Sequence, residues 1–178
     1  MSKKILAISS SPRRNGNSET LCDRFIQGAV ESGNEVEKVR LCDLNIGFCN
    51  GCETCSRTGK CIKNDDVPEI VGKMIASDII VLATPVYFYT MDAQIKAVID
   101  RSVMAYTKLD GKGFYLFATA AESDPALLDR TIDGLQGFLD CLPGSSVKGV
   151  IKAAGVWKKG EIEGTPFLDE AYRMGRSA

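Results

Sequence analysis

The chain has 178 residues, 44% of them hydrophobic, with 22 basic and 23 acidic residues for a net charge of −1, and no histidine. Evenly mixed charge offers no electrostatic case for a nucleic-acid or membrane-surface partner. The missing imidazole excludes Ser-His-Asp and Cys-His catalysis, haem on a histidine ligand, and zinc fingers of paired cysteines and histidines.

The longest apolar run, Ile79–Ala83, is far below a membrane span, and Ile5–Ile8 behind two lysines is too short for a signal-peptide core. A cytoplasmic protein of one domain, residues 1–178, is therefore expected.

In chain order, KKILAIS (Lys3–Ser9) reads as a short apolar strand. A helix follows from about Ser18, with Leu21, Cys22, Phe25, Ile26, Ala29 and Val30 on one face and Gly33 as its stop. EVEKVRL (Glu35–Leu41) is a more polar strand. After a cysteine-rich stretch, Asp65 or Asp66 can cap a helix carrying Val67, Ile70, Val71, Met74 and Ile75.

DIIVLATP (Asp78–Pro85) is a continuous apolar strand, and the next helix runs from about Thr90 through Ile95, Val98, Ile99 and Val103. GFYLFATA (Gly113–Ala120) is the fourth strand, followed by a helix opened by Asp124-Pro125. SVKGVIKAAG (Ser146–Gly155) is the fifth, and a last amphipathic helix begins near Thr165-Pro166.

Five strands alternating with five helices predict a parallel sheet covered on both faces, an α/β three-layer sandwich. The most apolar strands, first, third and fourth, suit central positions, whereas the charged second and fifth suit edges. That is the flavodoxin-like order 2-1-3-4-5, with a ligand expected beyond the carboxyl ends of strands one and three.

SSSPRRNGNSET (Ser9–Thr20) supplies what a phosphate needs at a helix N-terminus: hydroxyls, arginines and an Asn-Ser cap, in Ser9, Ser11, Arg13, Asn17, Ser18 and Thr20. It is neither GxGxxG nor a Walker A loop. The competing reading is an ordinary capped helix start. ATPVYFYTMDAQ puts Pro85, Val86, Tyr87, Phe88 and Tyr89 at the end of the central strand, where aromatic rings suit a flat heteroaromatic ligand. Their competing role is to cover the core or a subunit interface. A phosphate loop beside an aromatic platform fits flavin mononucleotide.

Four of the seven cysteines lie within CNGCETCSRTGKC, spaced Cys49-x2-Cys52-x2-Cys55-x5-Cys61. CxxCxxC can hold three irons of a cubane, with Cys61 as the fourth ligand. Zinc on four thiolates, or bare thiols, are the alternatives. Of the others, Cys22 and Cys141 are expected as core thiols on helix faces, and Cys42 ends an edge strand.

SSSPRRNGNSETL, CNGCETCSRTGKCIKNDDV, TPVYFYTMDAQIKAVIDR and VKGVIKAAGVWKKGEI, in this order, resemble the NAD(P)H-dependent FMN reductase group of the flavodoxin-like superfamily. Within it, the chain is similar to the iron–sulfur flavoproteins. The resemblance implies FMN phosphate at Ser9, Ser11, Arg13, Asn17 and Ser18, and ring and ribityl at Pro85 to Tyr89. It also implies pyrimidine-side contacts from Thr119 and Ala120, although this loop lacks the glycines often found there. Residues 44–64 become a cysteine-bearing insertion whose four thiolates would hold a [4Fe–4S] cluster.

The implied function is an NAD(P)H-dependent FMN or quinone-type reductase in which no side chain is named as catalytic, because the flavin carries the chemistry. One alternative is a flavoprotein relaying single electrons between the cluster and FMN, and another is a non-catalytic flavin-fold scaffold or sensor. The implied partners are a small-molecule acceptor or a ferredoxin-like carrier, in a homodimer or homotetramer.

Overall fold

The computed structural model describes residues 2–178. Its strands are β1 (Lys4–Ser9), β2 (Glu35–Arg40), β3 (Ile79–Tyr87), β4 (Thr90–Met91), β5 (Gly113–Thr119) and β6 (Ser146–Ala153). Its α-helices are α1 (Asn17–Glu31), α2 (Thr54–Thr58), α3 (Val67–Ala76), α4 (Ala93–Arg101), α5 (Asp129–Leu139) and α6 (Pro166–Arg176). The main path of the sheet runs β2-β1-β3-β5-β6, all parallel, with β4 paired antiparallel to the end of β3. Without β4, this is the expected order of five strands. Among the described residues, no helix is long and apolar enough to cross a membrane.

Burial explains the order. Every residue of β5 and all but the first of β1 are buried, whereas β2 and β6 are mostly exposed or half-buried and bury only Val39, Ile151 and Ala153. Continuous apolar strands can lie only where both faces are covered. One face packs Leu6, Ile8, Ile80, Leu82, Phe114 and Leu116 under α3, α4 and α5. The other packs Ile5, Val81, Phe117 and Ile151 under α1 and α6, with Phe25 of α1 against Tyr115 and Phe117.

The α1–α6 contact is made by glycine. A Cβ on Gly175 would fall 2.0 Å from the Phe25 carbonyl, and one on Gly28 would fall 2.2 Å from that of Tyr172. The helices approach backbone to backbone because neither residue carries a side chain.

Three local expectations are corrected, and the expected cap of α3 is shared between Asp66 in position and Asp65 in hydrogen bonding. Thr90 does not begin a helix, because the chain turns back through Phe88 (φ 50°) and Tyr89 (φ 65°) and forms β4. Only then does Asp92 cap α4, its Oδ1 accepting from Ile95 N at 3.0 Å. Asn17 is not a cap; Gly16 holds that position without a side-chain bond. Asp66 stands before α3 but accepts from Asn45 N, while Asp65 Oδ1 accepts from Val67 N. Cys141 lies outside the core: α5 ends at Leu139, the chain turns, and Leu142 takes the buried place. Cys22 is fully buried, and that burial pushes its thiol up to about 12.

Candidate functional site

The carboxyl ends of β1, β3, β5 and β6 open on one cleft. Its β1 side is Ser11, Arg13, Asn17 and Ser18, its β3 side Pro85, Val86 and Tyr87, and its β5 side Thr119 and Ala120. No carboxylate lines it among the described residues.

At the start of α1, Ser18 is 1% exposed and its Oγ has no hydrogen-bond partner among the described residues. A buried, unpaired hydroxyl is unfavourable by about 1–3 kcal/mol unless something fills it. It stands in the first turn of a helix whose N-cap makes no side-chain bond, where the helix dipole favours an anion.

The one acid of that turn, Glu19, faces away, ion-paired to Lys38 at 2.9 Å and Arg40 at 2.7 Å, and accepting from Asn15 N at 2.7 Å. Burial alone would raise its pKa. These partners outweigh burial and hold the carboxyl below its usual range.

Asn17 ties the loop after β6 to the site, donating to Lys158 O at 2.9 Å and accepting from Ile162 N at 3.3 Å. Arg13 Nη1 donates to Trp157 O at 2.9 Å, and its guanidinium lies 5.5 Å from the Trp157 ring centre. Val156 and Trp157 line the cleft, and the sequence reasoning missed them. The strand order carries the signal: the loop after β6 opens on the same edge of the sheet as the loops after β1, β3 and β5.

Four expected residues do not line the cleft: Ser9, Thr20, Phe88 and Tyr89. Ser9 ends β1 beneath the loop, buried, with its Oγ unpaired among the described residues. Phe88 and Tyr89 form the tip of the β3–β4 hairpin; Phe88 is 100% exposed, and Arg130 lies over the Tyr89 ring. Two bulky residues at positive φ are unusual, and strain of that kind gathers at binding and switch segments.

Below the hairpin, the Asp92 carboxyl is buried. Loss of solvent is the largest influence on it, and its pKa rises to about 6 despite the bond from Ile95 N. Asp92 N donates to Thr84 Oγ1 at 3.1 Å, which fastens the hairpin's return to β3.

The second feature is the segment between β2 and α3. Cys49, Cys52, Cys55 and Cys61 all line one cavity of about 360 Å³, two of them exposed and two half-buried. No group of three or more potential ligands converges on a single ion among the described residues.

The wall opposite is Arg101, the last residue of α4, 2% exposed. It grips Asp65 through Nη1 at 2.7 Å and Nη2 at 2.9 Å. Nη1 also donates to Gly47 O at 2.8 Å, and Nη2 to Cys61 Sγ at 3.3 Å. The guanidinium holds the Asp65 carboxyl below its usual range against the opposing effect of burial.

Residues 3–132 match the family described as NADPH-dependent FMN reductase. An iron–sulfur flavoprotein of Archaeoglobus fulgidus is 40% identical over 98 residues, 55% of this chain and 44% of the relative. Another from Methanocaldococcus jannaschii is 42% identical over 99 residues, 56% of this chain and 51% of the relative. The chain thus matches about half the length of these curated relatives. Among solved structures, an NAD(P)H:quinone oxidoreductase from Methanothermobacter marburgensis superposes with a TM-score of 0.76 over 99% of this chain and 97% of its own, at 16% identity, a likeness of fold alone. With the fold, the open cleft and a match over residues 3–132 in agreement, this chain belongs to the NADPH-dependent FMN reductase family.

Proposed function

We propose that the chain is one FMN-binding domain of a cytoplasmic oxidoreductase that takes electrons from NAD(P)H and passes them to a small-molecule acceptor such as a quinone. The observation that carries this reading is Ser18, a residue of the cleft wall whose Oγ is buried and unpaired among the described residues, where no described carboxylate lines the cleft. A phosphate there would be met by that hydroxyl, the first N–H groups of α1 and the Arg13 guanidinium.

Pro85, Val86 and Tyr87 would then flank the ring, Thr119 and Ala120 would lie at its polar edge, and Trp157 would close the phosphate end. Ser9 would support the loop from below. The bound flavin supplies the redox chemistry, since it can accept a hydride and release electrons singly or in pairs. The side chains bind it, orient it and limit water. The hairpin tip at Phe88 and Tyr89 is read as the contact for a second subunit, in a homodimer or homotetramer.

Titration with FMN and with riboflavin tests the reading. FMN should bind at least about a hundredfold more tightly, because charge-assisted hydrogen bonds are worth about 1.5–3 kcal/mol each. Equal affinity would overturn the phosphate site, and failure to bind either would leave the scaffold or sensor reading.

A second reading rests on a separate observation: all four cysteines of residues 44–64 line one cavity without converging on one ion. Four thiolates around an open space fit a polynuclear [4Fe–4S] group better than a single zinc ion, whose thiolates must all come within about 2.3 Å of one point. The chain would then also exchange single electrons with a ferredoxin-like carrier. Anaerobic reconstitution with iron and sulfide decides it. Stoichiometric iron and sulfide support the cluster, one zinc per chain replaces it, and no metal leaves bare thiols.

A further inference from the structure

Arg101 is among the most deeply buried side chains of the protein, and no flavin reading uses it. It belongs to α4, whereas every group it contacts belongs to the cysteine segment. Those contacts fall at both ends of that segment: Gly47 before Cys49, and Cys61 and Asp65 at the far end. Asp65 Oδ2 also accepts from Gly47 N at 3.0 Å, so one guanidinium–carboxylate pair closes the base of the loop. The remaining donor, Nε, is buried with no partner among the described residues, on a side chain that lines the cysteine cavity.

We infer that Arg101 is the positioning residue of the cysteine site: it clamps residues 47 to 65 onto α4 and donates a hydrogen bond to the Cys61 sulfur. The inference deepens the cluster reading and rests on it for its redox consequence. Hydrogen bonds to ligand sulfurs stabilise the more negative, reduced state and so raise a cluster's potential. Lysine at this position can keep one contact to Asp65 but has no planar fork to serve Asp65, Gly47 and Cys61 together.

The test compares full-length wild type with Arg101→Lys and Arg101→Gln after anaerobic reconstitution. The expected result is a lower midpoint potential in Arg101→Lys at unchanged iron and sulfide content. An unchanged potential in a fully loaded variant would overturn the sulfur-donor role, a result that a merely structural residue would give. If wild type takes up no iron, the cluster reading fails by itself.

Amide hydrogen exchange of the metal-free chain then decides the clamp. Exchange within residues 45–66 should quicken by about tenfold or more in the variants while β1, β3 and β5 keep wild-type protection. No change there, or a loss spread over the whole sheet, would overturn the clamp. Should Arg101→Gln fail to fold, Arg101→Lys alone carries both measurements.

Discussion

The Arg13 guanidinium is bound to the far side of the cleft: Nη1 donates to Trp157 O at 2.9 Å while the cation lies 5.5 Å from the Trp157 ring centre. The loop after β1 and the loop after β6 are thereby joined across the mouth of the site, 144 residues apart in sequence. Trp157 is 61% exposed, so its ring contributes little to the core. Trp157→Ala should leave the melting temperature of the ligand-free chain nearly unchanged. It should weaken FMN binding by about three- to tenfold, the worth of one exposed cation–π contact and part of a covering ring. Flavin fluorescence titration beside a thermal scan checks both. Lost stability with unchanged affinity would show that the loop braces the fold rather than the ligand.

Ser18→Ala separates binding from stability in the opposite sense. Removing a buried hydroxyl that has no partner among the described residues is neutral or mildly stabilising to the ligand-free chain. With FMN, the same substitution removes a donor to a charged group, and the preference for FMN over riboflavin should fall by about tenfold or more. A variant with lower ligand-free stability and an unaltered FMN preference would mean that Ser18 serves only the helix start.

Sheet order was legible because burial on both faces leaves a mark in composition: KILAIS, IIVLATP and GFYLFAT each carry an unbroken apolar run, and the edge strands do not. Most of the cleft was legible for a related reason, since its loops follow those strands. What escaped were residues whose chemistry contradicts their place. Phe88 and Tyr89 occupy left-handed turn positions normally held by Asn and Gly, so no turn signal marked the hairpin. Arg101 continues the buried spacing of Ile95 and Val98, yet a charged residue reads as surface until Asp65, 36 positions away, is seen beside it. Asn17 resembles a cap in sequence, and only the returning loop at Lys158 and Ile162 shows what engages it.

Gly175→Ala tests the glycine contact between α1 and α6. In an isolated helix the exchange gains about 1 kcal/mol from propensity. Here the new methyl would stand 2.0 Å from the Phe25 carbonyl, and backbone cannot rotate out of the way as a side chain can. Overpacking of that kind costs about 1–3 kcal/mol or more, so the clash outweighs propensity. The expected result is a melting temperature lower by about 2–8 °C, from a net cost of about 1–2 kcal/mol at roughly 2–4 °C per kcal/mol in a chain of this size. An equal or higher melting temperature would mean that α6 shifts freely on α1.

Asp92 makes a prediction about pH with a definite sign. Its carboxyl is raised from 3.8 to about 6 in the folded chain, chiefly by burial, so the folded state holds its proton more tightly than the unfolded state. The resulting stabilisation is fully present below about pH 4 and is lost as pH rises through about 6. Above that, the folded chain carries a buried carboxylate at a cost on the order of 3 kcal/mol, from about 1.4 kcal/mol per pKa unit. Asp92→Asn removes the charge and keeps an oxygen to accept from Ile95 N, the bond that caps α4. The variant should therefore be more stable than wild type at pH 7.5, by about 1–3 kcal/mol, and the two should converge near pH 4. Urea unfolding of both chains at the two pH values, without flavin, measures the difference. The depressed carboxyls of Glu19, Asp43 and Asp65 are common to both chains and cancel in that difference. A gap between wild type and Asp92→Asn that does not change with pH would mean that Asp92 stays ionised throughout and that its carboxylate is satisfied within the fold.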